Sequence, residues 1–392
     1  MADSALPEFN VESGDSALLR LLRDAGARRV LSAPAADQGI AEHYPFPFMA
    51  LVGQYEMRVA LLLTVINPQI GGVLLIGPRG TGKTTAVRSL SGILPDVEVS
   101  DCEEDVVPAD LERQDAHLLY PDCYEKFHAG QEISHFEPIR LVELPLNARL
   151  EDVVGGVNER AAAQGRMRLE RGILSRADRH ILYIDEVNLL ADDVADAILD
   201  ASAQGSFIVR RGAMAGTYRS RFVLIGSMNP EEGRLRPQIL DRFGLRLNVR
   251  GLSDYEERIE VYQRVQNYRQ NPAIFVREWE LATAEFREEV MLARNLLTQT
   301  SLSEAAIKVG IGLVQALEID SHRAEYAMFE AARAHAAADG RDLATIDDIR
   351  IVAPLALRQR QSQFMVDYFE VQQEEDSRIR ELTDTLSKQI RA

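Results

Sequence analysis

The chain has 392 residues, 46% apolar, 27% charged and 6% aromatic, enough apolar matter to bury a core and too much for wholesale disorder. Its 44 Lys and Arg stand against 61 Asp and Glu, and the net charge of −17 disfavours non-specific attraction to nucleic acid or anionic lipid without excluding a local basic channel. Two cysteines, Cys102 and Cys123, are too few for a disulfide framework or a four-cysteine zinc site and suit a reducing compartment.

No stretch approaches the roughly 20 apolar residues of a membrane-spanning helix, Val59 to Ile66 being the longest candidate. The N-terminal residues lack the basic region of a secretory signal, and their acids argue against an organellar transit peptide. The expected location is the cytoplasm, with no membrane contact.

Residues 1–40 are Ala-rich with mixed charge and read as an N-terminal extension, in which Ala17 to Leu22 could form a short amphipathic helix. From 41 to 250, short apolar runs bounded by Gly, Pro and Asp alternate with helical periodicity. Gly72 to Ile76, His180 to Ile184 and Arg221 to Gly226 are near-continuous Val/Ile/Leu/Tyr runs, as expected of parallel strands buried on both faces. Lys83 to Gly92 and Asp192 to Gln204 read as helices between them. The pattern predicts an α/β core, a parallel sheet flanked by helices.

Two stretches read as insertions in that sheet. Arg140 to Leu144, followed by Val153-Val-Gly-Gly, looks like a strand leading into a glycine-rich loop, and Phe207 to Arg221 alternates like a hairpin. Beyond 251 the chain turns helical. Residues 251–285 read as a helical linker opened by the capping pattern Ser253-x-x-Glu256. Helices at 281–298, 303–317, 321–338 and 345–358 follow, with 286–358 forming an α-helical lid domain. The tail, 359–392, is polar, with Ile379, Leu382, Leu386 and Ile390 at helical spacing.

The first chemical motif is Gly77-Pro78-Arg79-Gly80-Thr81-Gly82-Lys83-Thr84, followed by Thr85. It satisfies G-x-x-x-x-G-K-[ST] between a strand and a helix, the setting of a phosphate loop rather than of a chance glycine turn. Glycines let backbone N–H groups curve around phosphate oxygens, and the helix N-terminus adds partial positive charge. Lys83 would reach the β- and γ-phosphates, and the Thr84 hydroxyl would ligate Mg2+.

The second is Ile181-Leu-Tyr-Ile-Asp185-Glu186, which sets two carboxylates at the C-terminal edge of a strand, where open α/β sheets bind ligands. Alone, such a pair is a solvated loop start. After a phosphate loop, Asp185 reads as the second Mg2+ holder and Glu186 as the group that polarises the attacking water. Asn229 follows the strand Phe222 to Met228 and would orient that water, although Asn before Pro is ordinarily a turn residue. In Leu235-Arg-Pro-Gln-Ile-Leu-Asp241-Arg242-Phe-Gly, Arg242 reads as an arginine finger donated by a neighbouring subunit; the alternative is a surface ion pair with an acid.

Together these motifs resemble the AAA+ ATPases, and more closely the magnesium chelatase I-subunit family. The resemblance runs from about Phe46 to Arg358, through Ala50 to Gln54, Glu143-Leu-Pro-Leu-Asn147, Tyr183 to Leu190, Arg221 to Gly233 and Leu235 to Leu245. It implies an ATP- and Mg2+-dependent motor that drives Mg2+ insertion into protoporphyrin IX in chlorophyll or bacteriochlorophyll synthesis. It implies a homo-oligomeric ring, a hexamer, an adaptor subunit with an integrin-like metal-binding domain, and a large porphyrin-binding subunit. Val52, Gly53 and Gln54 would lie near the adenine, Asn229 would be sensor 1, and Arg242 the trans-acting finger with Asp241 holding its loop. Ser321-His-Arg323-Ala-Glu resembles the sensor 2 segment, making Arg323 a γ-phosphate contact. The strand near Arg140 and the hairpin at Phe207 to Arg221 resemble pore-side and partner-facing insertions.

Some features depart from the family pattern. His322 and Glu325 differ from the usual surroundings of the sensor arginine, and the long acidic segment Asp101 to Phe136, rich in His and Tyr, is not matched to the family pattern. Its cysteines with His117, His128 and His135 could be metal ligands, but their spacing fits no standard zinc pattern. Two other readings remain: a MoxR-type ATPase remodelling a metal-binding partner outside pigment synthesis, and a DNA-stimulated motor using Arg210, Arg211, Arg219 and Arg221 of the hairpin.

Overall fold

The computed structural model describes residues 44–360 except 103–105, 113–116, 118–119, 158–168, 212–213 and 234. The expected helix at Ala17 to Leu22 and the apolar stripe Ile379 to Ile390 lie outside the described residues.

Among the described residues, five parallel strands form the central sheet: β1 (Val73–Ile76), β2 (Leu141–Glu143), β3 (Ile181–Ile184), β4 (Val223–Met228) and β5 (Leu245–Asn248). Their spatial order is β5-β1-β4-β3-β2, with registers Val73↔Leu245, Val73↔Ile225, Val223↔Ile181 and Leu141↔Ile181. Successive residues of a strand face opposite ways, and here both ways lead into a core. Val73, Leu75, Ile181, Tyr183, Ile225 and Leu247 join one apolar cluster; Leu74, Ile76, Leu182, Ile184 and Leu224 join the other. That double burial explains why these strands read as unbroken apolar runs.

On the first face lie α1 (Tyr55–Ile66) and α2 (Lys83–Ser89); on the second lies α3 (Asp192–Gln204), which presents Val194, Ala195, Ile198 and Leu199. The short helix α4 (Pro237–Arg242) leads into β5. Then come α5 (Tyr255–Gln270), α6 (Glu280–Leu297), α7 (Glu304–Ala316), α8 (His322–Ala338) and α9 (Ile346–Leu357). Alanines of α8 and apolar residues of α9 share the cluster that covers the first face of the sheet.

Two expectations need correction. The strand near Arg140 is not an insertion: Leu141–Glu143 is the edge strand of the central sheet, parallel to β3, with Val142 packed against the second core. Among the described residues, the antiparallel pairs carried outside the sheet are Val97–Ser100 with Ser134–Glu137, Gly155–Val157 with Leu169–Arg171, and Ser206–Arg211 with Met214–Arg219. The cap of α5 is also shifted by one residue. The Asp254 side chain, rather than Ser253, accepts from the Glu257 N–H at 2.9 Å, because a carboxylate one position nearer the helix meets the N3 donor.

Cys102 and Cys123 are buried with Val106, Leu111 and Ile133 in a small separate apolar cluster. His135 pairs with Asp101 at 2.8 Å, and His117 and His128 lie against the Tyr124 ring. Among the described residues no three His, Cys, Asp or Glu side chains converge as a metal site. None of the described helices is long and apolar enough to cross a membrane.

Candidate functional site

Strand β1 delivers the chain into the phosphate loop, and a glycine is required at its exit. A Cβ on Gly77 would stand 2.1 Å from the Val249 carbonyl oxygen, so no larger residue fits beside the end of β5. Gly80 and Gly82 have φ of +79° and +86°, and each faces open space where a Cβ would be. That is a cradle with room for phosphate oxygens against the N-terminus of α2.

The cradle opens into a cavity of about 330 Å³ lined by Arg79 to Thr85, Asp185, Glu186, Ser227, Met228 and Asn229. Three motifs 40 to 100 residues apart in the chain therefore meet, because β1, β3 and β4 are adjacent and end together. Lys83 is 8% exposed, and its ammonium donates to the Gly77 and Pro78 carbonyls at 2.7 and 2.8 Å. Burial holds its pKa below the ordinary lysine value, against the opposing pull of Asp185, Glu186 and Glu232.

Around Asp185 the sequence left two partners unread. The Tyr183 hydroxyl donates to Asp185 Oδ1 at 2.9 Å and lies 3.2 Å from Thr84 Oγ1 and 3.3 Å from Ser227 Oγ. Ser227 also donates to Asp185 Oδ1. Burial, with the Asp185 charge beside it, pushes the tyrosine up to about 12, so it stays a donor at any working pH. Hydroxyl and carboxylate oxygens side by side at Thr84 and Asp185 are the hard donor set that Mg2+ takes, with water completing the shell.

Glu186, which lines the cavity, occupies the left-handed region, φ +55°, a strained conformation for a side chain of its kind. Its Oε1 accepts from Arg79 Nη2 at 2.9 Å, and the same nitrogen lies 2.5 Å from Glu232 Oε1. The hydrogen bond to Glu186 raises the Arg79 pKa, with the Glu232 charge adding to it. Asn229 is 4% exposed and its Oδ1 accepts from the Glu231 N–H at 3.3 Å, so it both caps the next turn and faces the cavity.

Gln54, also left-handed at φ +50°, donates through Nε2 to the Arg250 carbonyl at 2.6 Å. It lines a cavity of about 450 Å³ with residues 247–253, at the C-terminal end of β5. Gly53 packs against Leu252, where an added Cβ would meet Leu252 Cδ2 at 2.6 Å, and Val52 precedes it in the same turn.

Arg242 and Arg323 stand elsewhere. Both line a third cavity, of about 630 Å³, with Asp241, Arg360 and residues 68–71, 221–222 and 244. Those last three segments immediately precede β1, β4 and β5. The phosphate loop and the two arginines thus occupy opposite ends of the same parallel strands, separated by about 13 Å or more at ~3.3 Å per residue of β1. Arg242 Nη1 lies 2.8 Å from Asp200 Oδ1, and Arg323 Nη1 lies 3.6 Å from Asp241 Oδ2. His322 and Glu325, the departures from the family pattern, pair with each other at 2.6 Å. In the hairpin, Arg219 pairs with Asp110, and Arg221 lies 3.6 Å from Asp178.

Comparison with known proteins places the sequence. Residues 156–238 match the model of magnesium chelatase, subunit ChlI, and 311–382 that of the AAA lid domain. A magnesium-chelatase subunit ChlI homolog of Methanocaldococcus jannaschii is 41% identical over 81% of this chain and 86% of its own length. The magnesium-chelatase 38 kDa subunit of Acidiphilium rubrum is 43% identical over 80% of this chain and 90% of its own. A solved complex between subunits BchI and BchD of magnesium chelatase contains a chain 37% identical, covering 82% of this one and 98% of that one, with a TM-score of 0.46. Identity of this order over four-fifths of the sequence extends well beyond the phosphate-loop motifs, and it means that this chain belongs to the magnesium chelatase ChlI family of AAA+ proteins.

Proposed function

We propose that the chain is a cytoplasmic, ATP-hydrolysing motor subunit of magnesium chelatase, with 41–250 as its ATPase core and 286–358 as its lid. Lys83 and the 77–82 backbone would hold the β- and γ-phosphates, Thr84 and Asp185 the Mg2+, and residues 52–54 the adenine. Bound Mg2+ would supply neutralisation of charge on the phosphoryl oxygens. Glu186, once released by Arg79, would accept a hydrogen bond from the attacking water, while Asn229 orients that water from the neighbouring strand end.

The observation that carries the reading is the separation of Lys83 from Arg242 along the strands. One protomer cannot bring both to one nucleotide, whereas head-to-tail packing would set one protomer's Arg242 and Arg323 against the next protomer's phosphate loop. Closure of that repeat would give a ring, which we take to be a hexamer. Its strokes would be passed through an adaptor with an integrin-like metal-binding domain to the large subunit that holds protoporphyrin IX, the acceptor of the inserted Mg2+. The strand pairs 155–157 with 169–171 and 206–211 with 214–219 would be offered to those partners.

The test is subunit mixing. Lys83→Ala protomers cannot bind nucleotide but still offer Arg242, and Arg242→Ala protomers do the reverse. Each alone should be inactive, and mixing should restore ATPase activity through composite sites. Co-assembly with no recovered activity overturns the shared site. For the chelatase role, adding the adaptor, the large subunit, Mg-ATP and protoporphyrin should give Mg-porphyrin absorbance, and its absence refutes that part.

A further inference from the structure

The Arg360 side chain is fully buried just past α9, and each of its hydrogen bonds is to an oxygen. Nε donates to the Ala356 carbonyl at 3.0 Å, Nη1 to Asp241 O at 3.1 Å and Asp241 Oδ1 at 2.8 Å, and Nη2 to Phe243 O at 3.1 Å and Gly244 O at 2.9 Å. Five bonds use the full donor capacity of a guanidinium. Two of the acceptors, the Asp241 and Phe243 carbonyls, are groups that the C-terminus of α4 leaves without intrahelical partners, and the Gly244 carbonyl follows them. Arg242 is the last residue of that helix, so Arg360 clasps the backbone on both sides of it.

The clasp is reciprocated. Arg246 of β5, buried in the core, donates to the Arg358 and Gln359 carbonyls at 3.3 and 2.6 Å. The Asp241 carboxylate, meanwhile, accepts from Ser321 Oγ at 3.1 Å, just ahead of α8. Both ends of the α8–α9 unit of the lid are thus tied to the two residues around which Arg242 turns. The fully bonded Arg360 guanidinium is the kind of buried polar group that rigidifies what it holds.

We propose that Arg360 is the positioning residue of Arg242: it fixes the 241–244 turn from the lid side, so that the lid of one protomer sets the finger that protomer offers to the next. The proposal rests on the reading of Arg242 as a trans-acting finger.

The experiment compares Arg360→Ala and Arg360→Lys with Arg242→Ala in the assembled protein. Loss of the clasp should lower kcat by about 10²-fold, the cost of misplacing a catalytic group by roughly 1 Å, with fluorescent-nucleotide affinity unchanged. Arg360→Lys, which cannot reach several carbonyls at once, should fall between. The double variant Arg242→Ala/Arg360→Ala should be no slower than Arg242→Ala, because the two act as one unit.

Mixing with Lys83→Ala gives the readout that general damage would not give. Protomers carrying Arg360→Ala retain intact phosphate loops, so a Lys83→Ala neighbour with a well-placed Arg242 should restore their activity. Full activity of the Arg360 variants beside an inactive Arg242→Ala, or a defect that mixing does not rescue, overturns the inference. Full activity of Arg242→Ala overturns the finger reading instead. If Arg360→Ala does not fold, the same mixing test on Arg360→Lys decides.

Discussion

Removing one oxygen atom at Tyr183 probes the metal end of the site more sharply than removing a ligand. In Tyr183→Phe the ring stays in its buried position between the strands, where Tyr183 is 1% exposed, so packing is unchanged. What disappears is the 2.9 Å bond to Asp185 Oδ1 and the 3.2 Å contact with Thr84 Oγ1. A hydrogen bond to a charged group contributes about 1.5–3 kcal/mol, but Asp185 keeps its bond from Ser227 and reaches solvent, so the low end applies. About 1.4 kcal/mol is a tenfold change in an equilibrium constant. The half-saturating Mg2+ concentration for ATP hydrolysis should therefore rise about tenfold, the smaller effect expected when a group orienting a metal ligand is lost. The assay is ATPase rate against free Mg2+ at saturating ATP. Because Tyr183 titrates only at about 12, the ratio of variant to wild type should be flat across the neutral to mildly alkaline range. An unchanged Mg2+ requirement would refute the claim that the tyrosine orients Asp185 and Thr84.

Three further outcomes follow from other parts of the chain. Glu186→Gln should retain nucleotide binding and lose hydrolysis, while Lys83→Ala should lose binding itself; equilibrium binding of a fluorescent ATP analogue beside phosphate release separates the two. Gly244→Ala would place a Cβ 1.8 Å from the Ile70 carbonyl oxygen, a backbone clash that has to move the turn carrying Arg242. It should lower both the unfolding midpoint in urea and kcat, and a wild-type kcat would show that the turn can shift freely. Asp348, buried and bonded to Arg341, His335 and the Thr345 N–H, is raised by burial yet held by Arg341 and those partners well below the ordinary carboxylate range. Its stabilisation is complete above about pH 4, the unfolded value, and drains away as pH falls towards the depressed folded one. Asp348→Ala should thus cost about 1.5–3 kcal/mol in urea denaturation at pH 7 and visibly less near pH 3.5.

Much of the site was legible because its chemistry is local. The phosphate-loop pattern needs glycines and a lysine at fixed spacing, and Asp185-Glu186 needs only a strand end, so spacing alone singled out two segments that the fold sets in one cavity. The same local logic misread Leu141–Glu143: a three-residue edge strand carries too little apolar pattern to distinguish sheet from insertion. Arg246 did carry a signal, a lone cation inside the buried run Leu245-Arg-Leu, which requires partners that the sequence cannot name. Arg360 carried none. It sits in a polar segment that reads as tail, and its worth comes from carbonyls more than 110 residues earlier, which only the folded chain brings within reach.

The parallel strands that separate Lys83 from Arg242 also give the protomer a polarity, with two unlike ends. On the shared-site reading, an open row of n protomers holds n − 1 complete sites, and only closure supplies the last. Specific activity should then climb with protein concentration and level off when rings close. A protomer lacking Arg242 would silence one site per copy in a ring without blocking assembly. Counting lost sites against the fraction of such protomers would measure whether neighbours fire independently or in concert.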